Sequence, residues 1–450
     1  MQRNHQRGIQ AVQHNSSLNR PIQTKNKMVQ VVRFPAGYEE KNKVITKGDM
    51  MKIGIVTAYD EKEANSEYSK ALKEEFERQG HSVEILRLPF SVFTIPSRPT
   101  QKLADVLIDE MAEKIKHLDY VNIQYENLLF GCDCISVFRR IKKIVLSCKP
   151  KQFSITMHSQ IHFDTKKLKT STFKKGFYAL IKKKKGFSYK NIDRLIYDIL
   201  DLVTAKEGLI ITHTIRAQER AKAFFPHANV KAFPLCYKRV EDIKNAKRSF
   251  NKEKYMQEKG IVLNKNEKAI GVLGAFTYWK DLDTCVMALS VLPEKYHLFF
   301  YGGMHRLEFK CFPNGLDRIK ELEEKILSLN LQSRVHFMGF QSTSEDFFNA
   351  HLFCDCVVLP YLEVGEDGSG SASVALETCD NVFLSRNCTF DELKIFTGEA
   401  AFNFDMGNYL ELAEKIQTMP DRQKILKQRE SYFLHYNVSE CVKMYLSIMK

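Results

Sequence analysis

Short apolar segments alternate with segments of helical periodicity along most of the chain. The first unit begins at Met51, where the apolar run MKIGIVTAY is followed by EYSKALKEEFERQGH and then by a second apolar run, SVEILRL. The middle segment places Tyr68, Leu72 and Phe76 on one face of a helix and ends at Gly80. A strand, a helix and a strand within about 40 residues predict a parallel βαβ unit with a right-handed crossover.

The alternation continues in two sets of segments. The first set adds the apolar runs DYVNIQY, QFSITMH and GLIITHT and ends with ANVKAFPLCY near Tyr237. The second set starts with KAIGVLGAF and adds YHLFFYGG, RVHFMGF and CDCVVLPY. Strands this apolar belong in parallel sheets that helices cover on both faces. The pattern predicts an α/β protein with two doubly wound, Rossmann-like domains, residues 51–237 and 267–430.

The remaining segments differ in character. Residues 1–50 are polar and basic without clear periodicity, which predicts a flexible basic arm. Residues 238–266 are charged and poor in core residues, so we expect an inter-domain linker there. The N-terminus lacks the apolar core of a signal peptide, and no run approaches the roughly 20 apolar residues of a membrane span. We therefore expect a cytoplasmic protein.

The charge balance points to an anionic partner. The chain has 68 Lys and Arg against 54 Asp and Glu, a formal charge of +14. Residues 166–190 contain ten lysines and no acidic residue, interleaved with Leu, Ile, Phe and Tyr. Three interpretations stay open: a solvated basic segment, a nucleic-acid site that nothing else supports, or a contact with an anionic membrane leaflet. We expect the third, at the inner face of the plasma membrane, and no nucleic-acid partner.

The cysteines do not indicate a disulfide framework or a metal site. The chain has eleven, none in a CxxC pair, and no His or Cys pair stands at a spacing that would complement its two CxC pairs, Cys132 with Cys134 and Cys354 with Cys356. An odd, scattered set without a signal peptide is typical of reduced buried thiols. We expect no bound metal.

The first candidate binding segment follows the apolar run CVVLPY. The stretch GEDGSGS leads into a predicted helix, whose first backbone N–H groups favour a phosphate or diphosphate. Gly368 and Gly370 would let the backbone approach such a ligand, and Ser369, Ser371 and Ser373 offer hydroxyl donors. A surface loop with a serine N-cap explains the same residues, and both interpretations stay open.

The second candidate is a lysine beyond another strand. In IGVLGAFTYWKD, Gly274 follows the strand and Lys280 stands at the start of the next helix. A lysine at this position can supply the point charge that stabilises a departing diphosphate.

Together these segments resemble a known family. GAFTYWKDLD, RVHFMGF, CDCVVLPY and GSGSASVALE, in this order, resemble the C-terminal half of family 4 retaining glycosyltransferases with the GT-B fold. DYVNIQYE, ITMHSQ and LIITHT are similar to strand ends of the family's N-terminal half. The terminal segment YFLHYNVSECVKMYLSIMK resembles the family's closing helices. The resemblance covers about Met51 to Lys450 and implies two facing Rossmann-like domains, with the last helix, in residues 431–450, crossing back onto the first domain.

The resemblance also implies a binding site. The donor would be a nucleotide diphosphate sugar, bound as a substrate with no further cofactor. The catalytic residues would be His158, near the transferred sugar, Lys280, at the diphosphate, and Glu377, at the ribose hydroxyls. The donor-binding residues would be Gly274, Lys280, Gly368, Ser369, Gly370, Ser371 and Glu377.

Candidate acceptor-side residues stand near strand ends of the N-terminal half. The residues concerned are Asn65, Gln124, Glu126, His213 and Arg216. For the last two, the segment HTIR is explained equally well as an ordinary helix start.

The chain departs from the family pattern at two positions. The family carries two glutamates separated by seven residues, and Ser369 stands where the first is expected. Glu363, Glu366 and Asp367 remain alternatives for the sugar contact. Ala275 stands where an arginine often follows the glycine, which would leave Lys280 with more of the phosphate charge.

The function expected from the sequence is metal-independent transfer of a hexose, with retention, to a glycan or a lipid-linked acceptor. This activity would serve the synthesis of a surface polysaccharide. Two alternatives stay open: a non-catalytic protein that binds nucleotide sugars, and a nucleotide-sugar epimerase on the same scaffold.

Overall fold

The computed structural model describes residues 50–59, 64–127, 129–163, 189–303, 315–341, 343–363 and 367–447. The predicted N-terminal arm lies outside the described residues apart from Met50, and so does the lysine-rich segment apart from its last two residues.

The N-terminal half is built on a sheet of six parallel strands in the order β2-β1-β3-β4-β5-β6. All six residues of β3 and all five of β4 are buried, and the polar residues among them, Asn122 and Gln124 of β3 and Ser154 and Thr156 of β4, bond to one another. The strands are β1 Lys52–Thr57, β2 Ser82–Arg87, β3 Tyr120–Tyr125, β4 Phe153–Met157, β5 Leu209–Thr212 and β6 Asn229–Ala232.

Six helices lie in the described part of this half. They are α1 Ala64–Arg78, α2 Phe90–Phe93, α3 Arg98–Ile115, α4 Cys134–Ser147, α5 Tyr189–Ala205 and α6 Ile215–Phe224. Helix α4 begins where the Asp133 carboxylate accepts hydrogen bonds from the backbone N–H groups of Ile135 and Ser136. Val137, Ile141 and other residues at helical spacing face the core.

The C-terminal half repeats the plan, with six parallel strands in the order β12-β11-β10-β7-β8-β9. The strands are β7 Lys268–Leu273, β8 Tyr296–Tyr301, β9 Val335–Phe337, β10 Cys356–Leu359, β11 Val382–Arg386 and β12 Phe402–Asp405. The helices are α7 Val240–Ser249, α8 Lys252–Lys259, α9 Leu282–Val291, α10 Gly315–Ser328, α11 Ser344–Phe353, α12 Gly370–Thr378, α13 Cys388–Thr397, α14 Tyr409–Thr418, α15 Arg422–His435 and α16 Val438–Leu446.

The stretch between the halves has more structure than its composition indicates. Helices α7 and α8 occupy most of it, and Tyr255 of α8 is buried with its ring centroid 5.3 Å from that of Phe353. One well-placed aromatic residue thus anchors an otherwise charged segment to the C-terminal core.

Helix α16 packs on the N-terminal half, as the family resemblance implies. Cys441, Val442 and Tyr445 have no exposed surface and share a hydrophobic cluster with Tyr68 and Leu72 of α1. The same cluster contains Ile53 of β1 and Leu209 of β5, so the apolar positions of α16 are buried against both α1 and the N-terminal sheet. No helix within the described ranges is long and apolar enough to cross a membrane.

Candidate active site

The carboxyl ends of the two parallel sheets meet at a cleft between the halves. A Cβ atom on Gly368 would lie 3.4 Å from the His213 Cβ and from a methyl group of Leu235, so the two halves touch here. Thr214 and Pro234 line the crevice on one side, and Ser373 lines it on the other. Ligands of such sheets bind beyond the carboxyl ends of the strands, so this cleft is the candidate site.

Gly274 and Lys280 come together with Ser371, as the sequence predicts for a phosphate site. Gly274 has φ +110°, and a Cβ atom there would lie 2.7 Å from the Lys280 Nζ and 2.9 Å from the Ser371 Oγ. Lys280 is 8% exposed, and its Nζ lies 5.3 Å from the centroid of the Tyr361 ring. An ammonium, a hydroxyl and a backbone without a side chain therefore surround one small space.

The start of α12 completes this corner, which we call the cradle: Gly274, Lys280, Gly370 and Ser371. The helix begins at Gly370, and the Ser369 Oγ accepts a hydrogen bond from the backbone N–H of Ala372 at 3.2 Å. Ser369 thus serves as the N-cap that the plainer interpretation of this loop predicted.

The serine hydroxyls of this segment differ in their contacts. The Ser373 hydroxyl donates to the Ser369 carbonyl at 3.2 Å, and the Ser369 Oγ also lies 3.3 Å from the Tyr361 hydroxyl. Of the three predicted hydroxyl donors, Ser371 is the one that lies beside Lys280.

Glu377 stands at the far end of α12 and is 2% exposed. Its Oε1 accepts hydrogen bonds from the backbone N–H groups of Tyr237 at 2.7 Å and Lys238 at 3.3 Å. Its Oε2 has no hydrogen-bond partner among the described residues. Burial raises the pKa of the carboxyl to about 8, against the lowering effect of the two backbone N–H groups and of Lys238. The carboxyl is therefore protonated at neutral pH and has one oxygen to offer to a ligand.

Of the three acidic alternatives to the missing family glutamate, Asp367 lies in the cleft. Its Oδ1 accepts from the Arg216 Nη2 at 3.1 Å, and its Oδ2 accepts from the backbone N–H of Ile161 at 2.9 Å. Both donors belong to the N-terminal half, so Asp367 ties the halves together. Glu363 accepts instead from the backbone N–H of Cys388 at 2.7 Å, and Glu366 lies outside the described residues.

The predicted histidines form a contacting pair. The His213 Nε2 lies 3.2 Å from the His158 Nδ1, and the His158 Nε2 lies 2.6 Å from the Gln124 Oε1. Burial lowers the pKa of His213 to about 4, and burial together with His213 lowers the pKa of His158 well below its usual value. Burial therefore favours the neutral form of both rings. The ring of Tyr68 meets both edge-on, at 5.5 Å and 5.7 Å between centroids.

The other acceptor-side candidates lie around this pair. Arg216 is in the first turn of α6, and its backbone N–H donates to Glu392 at 3.0 Å, across the cleft. The Glu126 Oε1 accepts from the Ser159 hydroxyl at 2.9 Å. Asn65 is in the first turn of α1, where its carbonyl accepts from the Ser69 hydroxyl.

Two residues of the candidate site were not predicted from the sequence. Tyr361 borders Lys280 and Ser369, and Ile161 presents a backbone N–H to Asp367. The aromatic residue in CVVLPY was a visible signal for the first. A backbone N–H donor cannot be identified from the sequence, because every residue except proline has one. Among the described residues, no group of three or more His, Cys, Asp or Glu side chains is placed to hold a metal ion.

A substitution at Gly274 tests the cradle. In Gly274→Ala the added Cβ would collide with the Lys280 Nζ and the Ser371 Oγ at an unfavourable φ, so we expect loss of nucleoside diphosphate binding and destabilisation of about 1–3 kcal/mol. Calorimetric titration with the nucleoside diphosphate that the wild type binds and urea unfolding measure the two effects. Gly260→Ala is the matched control, because Gly260 also has positive φ, +65°, but an added Cβ would meet nothing within 4 Å. Wild-type nucleoside diphosphate affinity in Gly274→Ala would rule out a phosphate at this point.

Comparison with known proteins supports the same fold. Residues 252–431 match the family model described as glycosyl transferases group 1. No curated protein sequence matches the chain.

Several solved structures share the architecture. HepE from Anabaena in complex with UDP is 14% identical with a TM-score of 0.57, over 88% of this chain and 100% of HepE. A glycosyltransferase from Rickettsia africae is 14% identical with a TM-score of 0.59, over 89% of this chain and 98% of its own. Trehalose-6-phosphate synthase OtsA is 10% identical with a TM-score of 0.60, over 88% and 98%. At these identities the likeness shows the fold.

The family match covers the half that carries the cradle, and the solved structures cover both halves and the cleft between them. Residues 252–431 therefore match the glycosyl transferases group 1, and the chain, which has the GT-B fold, is a glycosyltransferase.

Proposed function

We propose that this protein transfers a hexose, with retention of configuration and without a metal ion, from a nucleoside diphosphate sugar to a glycan or lipid-linked acceptor. The cradle carries the proposal, because it combines a nearly buried lysine, a glycine that admits a close ligand, and a helix N-terminus. These are the groups that stabilise a departing diphosphate when no cation is bound.

The donor would lie along α12. Its diphosphate would occupy the cradle, between the Lys280 ammonium and the backbone N–H groups of Gly370 and Ser371. Its ribose would lie toward the free oxygen of Glu377, which has no partner among the described residues and would gain one. Solved structures of the similarly folded HepE hold UDP and UDP-glucose, which makes uridine the first nucleoside to test.

The reacting bond would lie between the cradle and the histidine pair. As the bond to the diphosphate breaks, negative charge grows on the leaving oxygen, and Lys280 and the dipole of α12 stabilise it. The acceptor hydroxyl would attack from the face that the diphosphate leaves, and its proton would pass to a phosphate oxygen. Closure of the halves, held by Asp367 and its two partners, would keep water from hydrolysing the donor.

A donor screen followed by turnover assays tests the proposal. Thermal melting with UDP-, GDP- and ADP-sugars should show one class that raises Tm, since a ligand bound to the folded state stabilises it by mass action. The selected donor should release its nucleoside diphosphate only when an acceptor is present, equally with and without EDTA.

Three other outcomes would each contradict part of the proposal. Binding without turnover under any acceptor would indicate a non-catalytic sugar-nucleotide binding protein. Release of UDP without acceptor, with a rearranged sugar, would indicate an epimerase. Loss of turnover in EDTA, restored by Mg²⁺ or Mn²⁺, would overturn metal independence.

A further inference from the structure

The nearly buried Lys280 ammonium has no hydrogen-bond or ion-pair partner among the residues that the structure describes. The two acidic residues that follow it closely in the sequence are bonded elsewhere. Asp281 accepts from the Thr284 hydroxyl at 2.5 Å. Asp283 pairs instead with Lys325. A charge that is removed from water without a partner costs free energy, so another contact is needed to stabilise the ammonium.

The ring of Tyr361 supplies that contact. The Lys280 Nζ lies 5.3 Å from the ring centroid, within the distance of about 6 Å over which an aromatic face attracts a cation. Both side chains are buried, and the attraction is stronger where water is excluded. An aromatic face is not a conventional hydrogen-bond acceptor, so the N–H donors of the ammonium remain available to a phosphate.

Tyr361 is itself held in place from two directions. Its backbone carbonyl accepts from the Ser385 hydroxyl at 2.6 Å and from the Asn387 side-chain amide at 3.2 Å. Its ring centroid lies 5.0 Å from that of Phe390. All three of these neighbours are buried. The ring therefore has a fixed position against which the ammonium can pack.

Two further contacts join the segment of Tyr361 to both parts of the cradle. The backbone N–H of Leu362 donates to the carbonyl of Trp279, the residue before Lys280, at 2.6 Å. The Tyr361 hydroxyl lies 3.3 Å from the Oγ of Ser369, the N-cap of α12. One side chain thus contacts the lysine through its ring and the start of the helix through its hydroxyl.

We infer that Tyr361 is a positioning residue, whose ring holds the Lys280 ammonium at the cradle in the place where it meets the diphosphate of the donor. The inference rests on the proposed function for the identity of that ligand. Tyr361 acts through Lys280 and need not touch the donor. Its role is large here because Ala275, next to Gly274, brings no second charge to the cradle.

A double-mutant cycle on urea unfolding tests the ring contact without any ligand. Tyr361→Leu should lower the urea midpoint less in a Lys280→Ala background than in the wild type, because the contact is already absent there. Equal shifts in the two backgrounds would overturn the contact. Tyr255→Leu is the matched control: Tyr255 is buried in the same hydrophobic cluster and has the Lys259 Nζ 5.9 Å from its ring centroid. Its shift should be the same in both backgrounds.

The same cycle measured by calorimetry tests the positioning. The probe is the diphosphate among UDP, GDP and ADP that raises Tm most. Tyr361→Leu should bind it about tenfold more weakly than the wild type, whereas in the Lys280→Ala background the same change should have little effect. Tyr361→Phe keeps the ring and should lose at most about threefold. A fluorinated phenylalanine in place of Tyr361 keeps the shape but weakens the ring face, so it should bind more weakly than Tyr361→Phe. Equal losses in both backgrounds, or equal binding by these two ring variants, would overturn the inference.

Turnover gives a third readout. In Tyr361→Leu, kcat should fall about tenfold to thirtyfold, more than KM for the donor rises, because the charge that Lys280 stabilises is greatest in the transition state. A change in KM alone would show that Tyr361 serves binding and not the departure of the diphosphate. If the wild type binds a nucleotide without transferring sugar, the proposed function fails, while the urea and calorimetric cycles still decide the role of Tyr361.

Discussion

Lys280→Ala is expected to lower kcat for sugar transfer by about a hundredfold to a thousandfold. Removing one preorganised group that stabilises developing negative charge has an effect of this size. The Lys280 ammonium is nearly buried, lies beside Gly274 and Ser371, and is the cation that the structure places at the cradle, since Ala275 has no charge. Release of UDP from the donor selected by thermal melting measures the loss.

Two further variants separate charge from packing. Lys280→Met retains most of the side-chain length without the ammonium and should lose as much activity as Lys280→Ala. Lys268→Ala removes an exposed lysine at the opposite end of strand β7, paired there with Asp355 at 3.4 Å, and should keep wild-type kcat. Full activity in Lys280→Met would show that the lysine does not act through its charge.

Glu377→Gln should change both nucleotide binding and the pH dependence of stability. The folded protein holds a proton on this carboxyl up to about pH 8, whereas the unfolded chain releases it near the ordinary value of 4.5. The stabilisation is therefore complete below about pH 4.5 and is lost as the pH rises through 8. Stability should decline across this window by up to about 1.4 kcal/mol per pH unit.

Glutamine mimics the protonated carboxyl and cannot titrate. The free energy of unfolding of the variant should therefore decline less steeply between pH 4.5 and pH 8 than that of the wild type. Urea unfolding at pH 5, 6.5 and 8 measures the slopes, with Glu258→Gln on the exposed part of α8 as the control. Parallel slopes for wild type and Glu377→Gln would mean that the folded protein already holds Glu377 ionised.

The same substitution tests the ribose contact. A ribose hydroxyl that donates to Glu377 favours the carboxylate, so UDP binding near pH 7 should release a proton in the wild type and none in the variant. UDP should bind about tenfold to a hundredfold more weakly to Glu377→Gln, the usual range for a hydrogen bond to a charged group. Calorimetry in buffers of different ionisation enthalpy measures both quantities. Proton release that persists in the variant would place the ribose elsewhere.

The strands could be predicted from the sequence because strands that are buried on both faces consist mostly of consecutive apolar residues. The segments chosen as strands contain β1 to β10, and the helical segment EYSKALKEEFERQGH overlaps α1. Helices α7 and α8 were missed because charged surface residues outnumber the one or two side chains that bury, such as Tyr255. The composition of a segment does not show whether one of its residues, such as Tyr255, is buried against a neighbouring element.

The candidate site could be predicted in part. Gly274, Lys280 and Ser371 come together because residues after parallel strands share one sheet edge. The partners of His158, Glu377 and Asp367 could not be predicted, since they depend on tertiary contacts between distant segments. The Glu377 carboxylate meets backbone N–H groups 140 and 139 residues away, and backbone donors occur at nearly every residue.

The position of α16 has a consequence for biosynthesis. The N-terminal half completes its hydrophobic cluster with Cys441, Val442 and Tyr445, and Cys441 follows its partner Tyr68 of α1 by 373 residues. Domains generally fold as units in the order of synthesis. Here one apolar face of α1 stays uncovered until α16 has been synthesised, so the N-terminal half is made first but is completed only after the C-terminal half has been made.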